Sequence, residues 1–135
     1  MKTFVSIGLV LWLAGFASAA EPAHRHAPTP EMRRQHNSMS VMNKQWTACK
    51  KSLEAVDFAA AGAALEGMQK AANALEKFKL HKNADRVEEF REQSRTFREN
   101  LAELGRAVKE KDKARAAGLY ATIDNSCAQC HNVFR

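Results

Sequence analysis

Apolar residues recur at steps of three and four in four blocks between residue 30 and residue 135, and polar residues occupy the positions between them. This period predicts four amphipathic α-helices, each with one inner face. The inner face of the first helix consists of Met32, Gln35, Met39, Met42, Trp46, Cys49, Leu53 and Val56. That of the second consists of Phe58, Ala61, Leu65, Met68, Ala72 and Leu75. The third helix contributes Val87, Phe90, Ser94, Phe97, Leu101, Leu104 and Val108, and the last contributes Ala116, Tyr120, Ile123, Cys127, Cys130 and Phe134.

The helix boundaries are indicated by capping residues and by the placement of proline. Thr29 before Pro30, Asp57 and Asp112 are predicted N-caps, and the stretch 80–85 separates the second helix from the third. All three prolines lie at or before Pro30, so the rest of the chain is free to be helical. Short connections place sequential helices side by side. The sequence therefore predicts an all-α fold over residues 30–135, an antiparallel up-down-up-down four-helix bundle.

The first twenty residues have the layout of a secretory signal peptide. Lys2 precedes a mostly apolar run, and the small residues Ala17, Ser18 and Ala19 close it. This pattern predicts a signal peptide at 1–20, a flexible leader at 21–29 and export of the mature protein to a periplasm. A membrane anchor is the competing interpretation, but the apolar run is short for a span.

The last helix carries the main chemical signal, Cys127-Ala-Gln-Cys130-His131. Positions i, i+3 and i+4 share one face of a helix, so both thiols and the imidazole should project into the bundle. C-x-x-C-H is the attachment pattern of a c-type haem, in which the thiols form thioethers and the histidine binds the iron. Small and polar residues on the inner faces of the first and last helices also predict a core with room for a large apolar group.

Three other interpretations of this motif are weaker. A structural zinc site needs four ligands, and no second Cys or His pair lies on a facing helix. A thioredoxin-like redox pair follows a strand in a βαβ unit, which this sequence lacks. A disulfide between Cys127 and Cys130 is chemically feasible after export, but it leaves His131 without a role.

The motif at the end of a helical, exported chain, followed by Phe134 and Arg135, resembles the class II c-type cytochromes, the cytochrome c-prime family. The resemblance covers the layout of the mature chain and is specific only over the last helix. It implies that Cys127 and Cys130 hold haem c covalently and that His131 is the fifth iron ligand.

The resemblance also implies roles for residues of the first helix. Low-spin relatives take a sixth iron ligand from a methionine there, and Met39 is the first candidate, ahead of Met42 and His36. The family's arginine beside the haem propionates corresponds to Arg33 or Arg34. The alternative is a five-coordinate iron with the methionines as core residues.

These observations predict a periplasmic monohaem cytochrome that carries single electrons, and not an enzyme. Periplasmic or membrane-bound redox proteins are the expected partners; homodimers are common in the resembled family. The formal charge of +6 comes from Lys and Arg interleaved with Glu, which is typical of solvated helix faces, so nucleic acid is not an expected partner. Two alternatives remain: a haem protein that binds diatomic gas, and a haem-free bundle with a Cys127–Cys130 disulfide.

Overall fold

The computed structural model describes residues 27–135, so the predicted signal peptide and most of the predicted leader lie outside the described residues. Within this range the protein is all-helical, with no strand. Its four α-helices are α1 (Pro30–Glu54), α2 (Phe58–Ala72), α3 (Val87–Lys109) and α4 (Lys113–Phe134). The prediction of a bundle of four helices is confirmed at this level. None of the helices in residues 27–135 is long and apolar enough to cross a membrane.

The three predicted N-caps are confirmed. The side chains of Thr29, Asp57 and Asp112 accept hydrogen bonds from main-chain N–H groups three residues ahead, at 2.9–3.1 Å. Each satisfies a donor that has no partner inside its helix, which stabilises the helix by about 1 kcal/mol. These contacts are local, so the sequence alone was sufficient to find them.

The predicted inner face of α1 was wrong at its last position, because the helix ends at Glu54 and Val56 is 48% exposed. Val56 has φ 59°, in the left-handed region. Its N–H donates to the Leu53 oxygen and that of Asp57 to the Ser52 oxygen. This pair of bonds is the Schellman motif, which ends a helix and here leads into the cap of α2. Lys111, with φ 58°, ends α3 in the same way.

The connection between α2 and α3 is the longest in the bundle. A 3-10 helix (Asn73–Lys77) continues α2, and a second one (Ala84–Arg86) precedes α3. Between them lies the irregular segment 78–83, called the crossing segment below. It contains Asn83 at φ 53°, a left-handed conformation that asparagine tolerates better than most residues.

The core is built from inner-face residues of all four helices, and its largest fully buried side chains are Leu65, Met68, Leu101, Leu104, Ile123 and Cys49. The backbones pack closely between α1 and α2, α2 and α3, and α3 and α4. The backbones of α1 and α4 do not approach each other to the same extent. Side chains therefore have to close that side of the bundle, and the predicted motif lies there.

Candidate cofactor site

Helix α4 places Cys127, Cys130 and His131 on a wall that faces α1. All three line one cavity, as their spacing on a single helical face predicts. The end of this helix is well anchored: Phe134 packs edge-on against Phe90 of α3 with ring centroids 5.3 Å apart. The guanidinium of Arg86 lies 5.9 Å from the centre of the same Phe134 ring.

The first cavity has a volume of about 330 Å³ and lies between α1 and α4, with α2 and α3 behind it. A small-molecule site typically has about 300–1,000 Å³ and a mostly apolar wall with a few polar groups. Its apolar lining is Met39, Met42, Trp46, Met68, Leu75, Phe97, Cys127, Ala128 and Cys130. Its polar lining is Asn43, Ser94, Asp124, Ser126 and His131. Space at this place agrees with the small and polar inner faces of α1 and α4.

Trp46, which lines the first cavity, is held in place by two residues of α4, Tyr120 and Asp124. The rings of Trp46 and Tyr120 stack with centroids 4.3 Å apart and planes 3° from parallel. The indole Nε1 of Trp46 donates a hydrogen bond to Oδ1 of Asp124 at 3.0 Å. This group joins α1 to α4 where the two backbones stay apart.

The protonation states of the motif follow from its partial burial. Burial, with a smaller effect of Asp124, raises the pKa of the Cys127 thiol to about 11. Burial also raises the pKa of Cys130. Burial lowers the pKa of His131, and the nearby charge of Arg135 acts in the same direction. Burial thus favours the neutral form of both thiols and of the imidazole.

A second cavity of about 670 Å³ adjoins the first, and Met39, Asn43, Cys130 and His131 belong to the walls of both. It is bounded by the start of α1, the crossing segment and the end of α4. The remaining lining residues are Met32, Gln35, His36, Ser40, Phe78, Lys79, Leu80, His81, Lys82, Phe90, Phe134 and Arg135. Cys130 and His131 thus belong to the wall that the two cavities share.

Hydrogen bonds join the crossing segment, which lines the second cavity, to α1 and to α4. Gln35, a buried residue of α1, donates through Nε2 to the Lys79 oxygen at 3.2 Å. Its Oε1 lies 3.1 Å from Nε2 of His81. At the other end, Asn83 Nδ2 donates to the Val133 oxygen at 2.6 Å. The segment therefore has a fixed place relative to α1 and α4.

The candidates for a sixth iron ligand all reach the cavities. Met39 is half-buried and lines both of them, Met42 is 6% exposed and lines the first, and His36 is exposed and lines the second. These positions keep all three residues as candidates. Among these three candidates, only Met39 lines both of the cavities that His131 lines.

The two arginines predicted to lie beside the haem propionates are on the surface of α1. Arg33 and Arg34 are exposed and line neither cavity. Arg33 Nη1 donates to the Pro28 oxygen at 2.8 Å, and Arg34 pairs with Glu31 at 2.6 Å. The Arg34 hydrogen bond is the main reason why the pKa of Glu31 is lowered.

Cys49 lies apart from the site. It is fully buried in the core and belongs to the wall of neither cavity. Burial raises the pKa of its thiol to about 11. This environment makes Cys49 an inert core thiol, because a reactive cysteine needs access and a low pKa.

His131 is the imidazole that the motif contributes to the first cavity, and Met39 and Met42 line the same cavity. In residues 27–135 no group of three or more His, Cys, Asp or Glu side chains could hold a metal ion. A porphyrin iron needs only axial ligands from the protein, and His131 with a facing methionine can supply them. The Ser94 hydroxyl, buried in the cavity wall, has no hydrogen-bond partner among the described residues. A flat, largely apolar cofactor with a few polar atoms would fit these surroundings.

Comparisons with protein-family models, with curated proteins and with solved structures found no match to this chain. The residues of the site are therefore the basis for inferring a function. Sequence reasoning did not find the contacts of the crossing segment or the role of Asp124. One sequence feature pointed to these contacts: Gln35 is a polar residue on the mostly apolar inner face of α1.

Proposed function

We propose that this chain is a periplasmic, monohaem c-type cytochrome that carries single electrons between redox proteins. The observation that carries the proposal is the common wall of Cys127, Cys130 and His131, which faces Met39 and Met42 across one cavity. Bound haem would supply the one-electron chemistry of its iron. The protein's part is to attach the group, orient it and shield it from water, and no catalytic step is assigned.

Each side chain has a distinct part in this proposal. The thiols of Cys127 and Cys130 would each add across a vinyl group, so that sulfur bonds to one vinyl carbon and the proton goes to the other. His131 would offer its neutral nitrogen as the fifth ligand, and Met39 its thioether as the sixth. Trp46 and Phe97 line the first cavity and would give the group apolar surroundings.

We propose further that the four helices run alternately up and down. Only residues 55–57 separate α1 from α2, and only 110–112 separate α3 from α4. Such short connections favour antiparallel neighbours. The connection between α2 and α3 is longer, but these two helices also pack together. Each helix is therefore a neighbour of the next one along the chain.

A second candidate function is the binding of a diatomic gas at an open sixth position. The Ser94 hydroxyl favours it, because a donor without a partner in the cavity wall could bind such a ligand. The Met39 thioether favours electron transfer instead, since it lines the walls that contain His131.

The first experiment is to produce the full chain in bacteria that attach haem to exported proteins, and to record its alkaline pyridine spectrum. We expect the spectrum of a haem held by two thioethers, and that of one thioether in Cys127→Ala or Cys130→Ala. Cys49→Ala is the matched control, because its thiol is buried outside the cavities, and it should retain both bonds. A folded protein without covalent haem would overturn the proposal and favour the haem-free bundle with a disulfide.

The same samples separate the two candidate functions. A reduced protein whose sharp visible bands do not change with carbon monoxide has an occupied sixth position and is an electron carrier. Broad bands that shift on addition of carbon monoxide would instead support the gas-binding function.

A further inference from the structure

The second cavity differs from the first in the charge of its wall. Lys79, Lys82 and Arg135 line it together with three histidines, and none of its lining residues in the described part of the chain is Asp or Glu. The first cavity contains Asp124 and no Lys or Arg. A molecule that extends through both would therefore place a negatively charged end in the second cavity.

The cations of this wall are brought together by the fold. Lys79 and Lys82 belong to the crossing segment, which Gln35 and Asn83 fasten to α1 and α4. Lys82 Nζ also donates to the main-chain oxygen of Arg135 at 3.1 Å, so the two residues are direct neighbours. Both lysine residues are exposed, so their ammonium groups can remain hydrated.

We infer that Lys79, Lys82 and Arg135 receive the two carboxylates of the haem, and that Arg33 and Arg34 do not. This inference rests on the proposed function. Haem c carries its carboxylates on the side of the ring opposite the two attachment points, and a carboxylate is costly to bury without a cationic partner. Charge-assisted hydrogen bonds to lysine or arginine provide that compensation.

The surroundings of the alternatives agree with this assignment. Arg34 is already paired with Glu31, and neither Arg33 nor Arg34 lines either cavity, whereas Lys79, Lys82 and Arg135 line the second. The charge of Lys79 also helps to lower the pKa of Glu31, but Glu31 lines neither cavity. Lys79 therefore remains available to a carboxylate in the second cavity.

The test compares two double variants of the haem-loaded protein, Lys79→Gln with Lys82→Gln and Arg33→Gln with Arg34→Gln. Both remove two positive charges from exposed side chains. We expect the lysine variant to lower the midpoint reduction potential, because a nearby cation favours the reduced iron. The shift should persist at about 1 M salt, where the Debye length is only about 3 Å, whereas the arginine variant should show little shift there. In proton NMR spectra, the methylene resonances of the haem carboxylate arms should move only in the lysine variant.

Two results would overturn this inference while leaving the proposed function intact. One is a covalently bound haem whose potential and methylene resonances change more in the arginine variant. The other is a bound haem that is the same in both variants by both measurements. Failure of the proposed function would be recognised separately, as the absence of covalent haem from the unmodified chain.

Discussion

The indole ring of Trp46 lies flat against the phenol ring of Tyr120, 4.3 Å away, while its N–H donates to Asp124. This contact joins the first helix to the last at the wall of the first cavity, which Trp46 and Asp124 both line. Trp46 is 8% exposed, so its N–H depends on Asp124 rather than on bulk water. The group therefore stabilises the bundle and shapes the wall of the cavity.

Asp124→Ala should destabilise the protein by about 1–3 kcal/mol, because it leaves a mostly buried N–H donor without its acceptor. Chemical denaturation followed by circular dichroism measures the free energy of unfolding. Asp124→Asn is the matched control, since its amide oxygen can still accept the hydrogen bond, and it should lose much less. Equal losses in the two variants would show that the hydrogen bond to Trp46 does not contribute.

The three cysteines should differ in their reactivity. In protein produced without haem, Cys127 and Cys130 are half-buried and should react with iodoacetamide while the chain is folded, whereas Cys49 should react only after unfolding. Haem attachment should leave no reactive thiol in the native protein. Mass spectrometry of the alkylated chain counts the modified sites. Alkylation of Cys49 in the folded protein would contradict the buried position described above.

Val56→Gly should stabilise the protein by about 1 kcal/mol, because a β-branched residue is strained in the left-handed conformation that glycine adopts freely. Val56 loses little packing when it is replaced, since it is 48% exposed. Val41→Gly is the matched control, with 45% exposure but a place inside α1. It should destabilise the protein by about 0.5 kcal/mol, because glycine is a poorer helix former than valine. Thermal unfolding shows whether each variant is more or less stable than the unmodified protein. A loss of stability in Val56→Gly would contradict the expectation that Val56 is strained.

Local features of the fold were predictable from sequence, and contacts between distant residues were not. Thr29, Asp57 and Asp112 were found because a cap bonds to a residue three positions ahead. Val56 was misplaced because helical periodicity gives no sign of where the helix stops. The left-handed conformation of Val56 is fixed by two main-chain hydrogen bonds at the end of α1, together with Asp57 as the N-cap of α2.

The candidate site was predictable to a similar extent. Spacing within one helix was sufficient to place Cys127, Cys130 and His131 on a common wall. Two of the hydrogen-bond partners of Gln35, Lys79 and His81, lie 44 and 46 positions away, and periodicity has no means of pairing them with it. For the same reason, the cations of the crossing segment were not considered for the haem carboxylates.

Met39→Ala should open the sixth position of the iron in the haem-loaded protein. The expected change is from sharp visible bands to broad ones that carbon monoxide shifts, because the second strong axial ligand is lost. Met42→Ala is the control: it should keep the sharp bands but reduce stability by about 2–5 kcal/mol, as is usual for a buried methionine. A reversed outcome would assign the sixth ligand to Met42.

Gln35→Leu should loosen the crossing segment. The change removes the hydrogen bonds to the Lys79 oxygen and to His81, and should cost about 1–3 kcal/mol of stability. Trypsin should then cleave after Lys79 and Lys82 more rapidly than in the unmodified protein. Gln69→Leu is the control, since it removes a comparable bond to the Leu101 oxygen, far from this segment. Faster cleavage in both variants would indicate general destabilisation instead.

The side of the bundle where α1 meets α4 has a consequence for how the molecule is assembled. The hydrogen bond from Trp46 to Asp124 spans 78 positions of the chain, the widest separation among the side-chain contacts described here. Joining segments so far apart costs more chain entropy than joining consecutive helices, so this edge should form last during folding and separate first. Opening it breaks one aromatic stack and one hydrogen bond while the three closely packed helix pairs remain intact. An opening at this edge would give access from solvent to Cys127 and Cys130, which line the first cavity between α1 and α4.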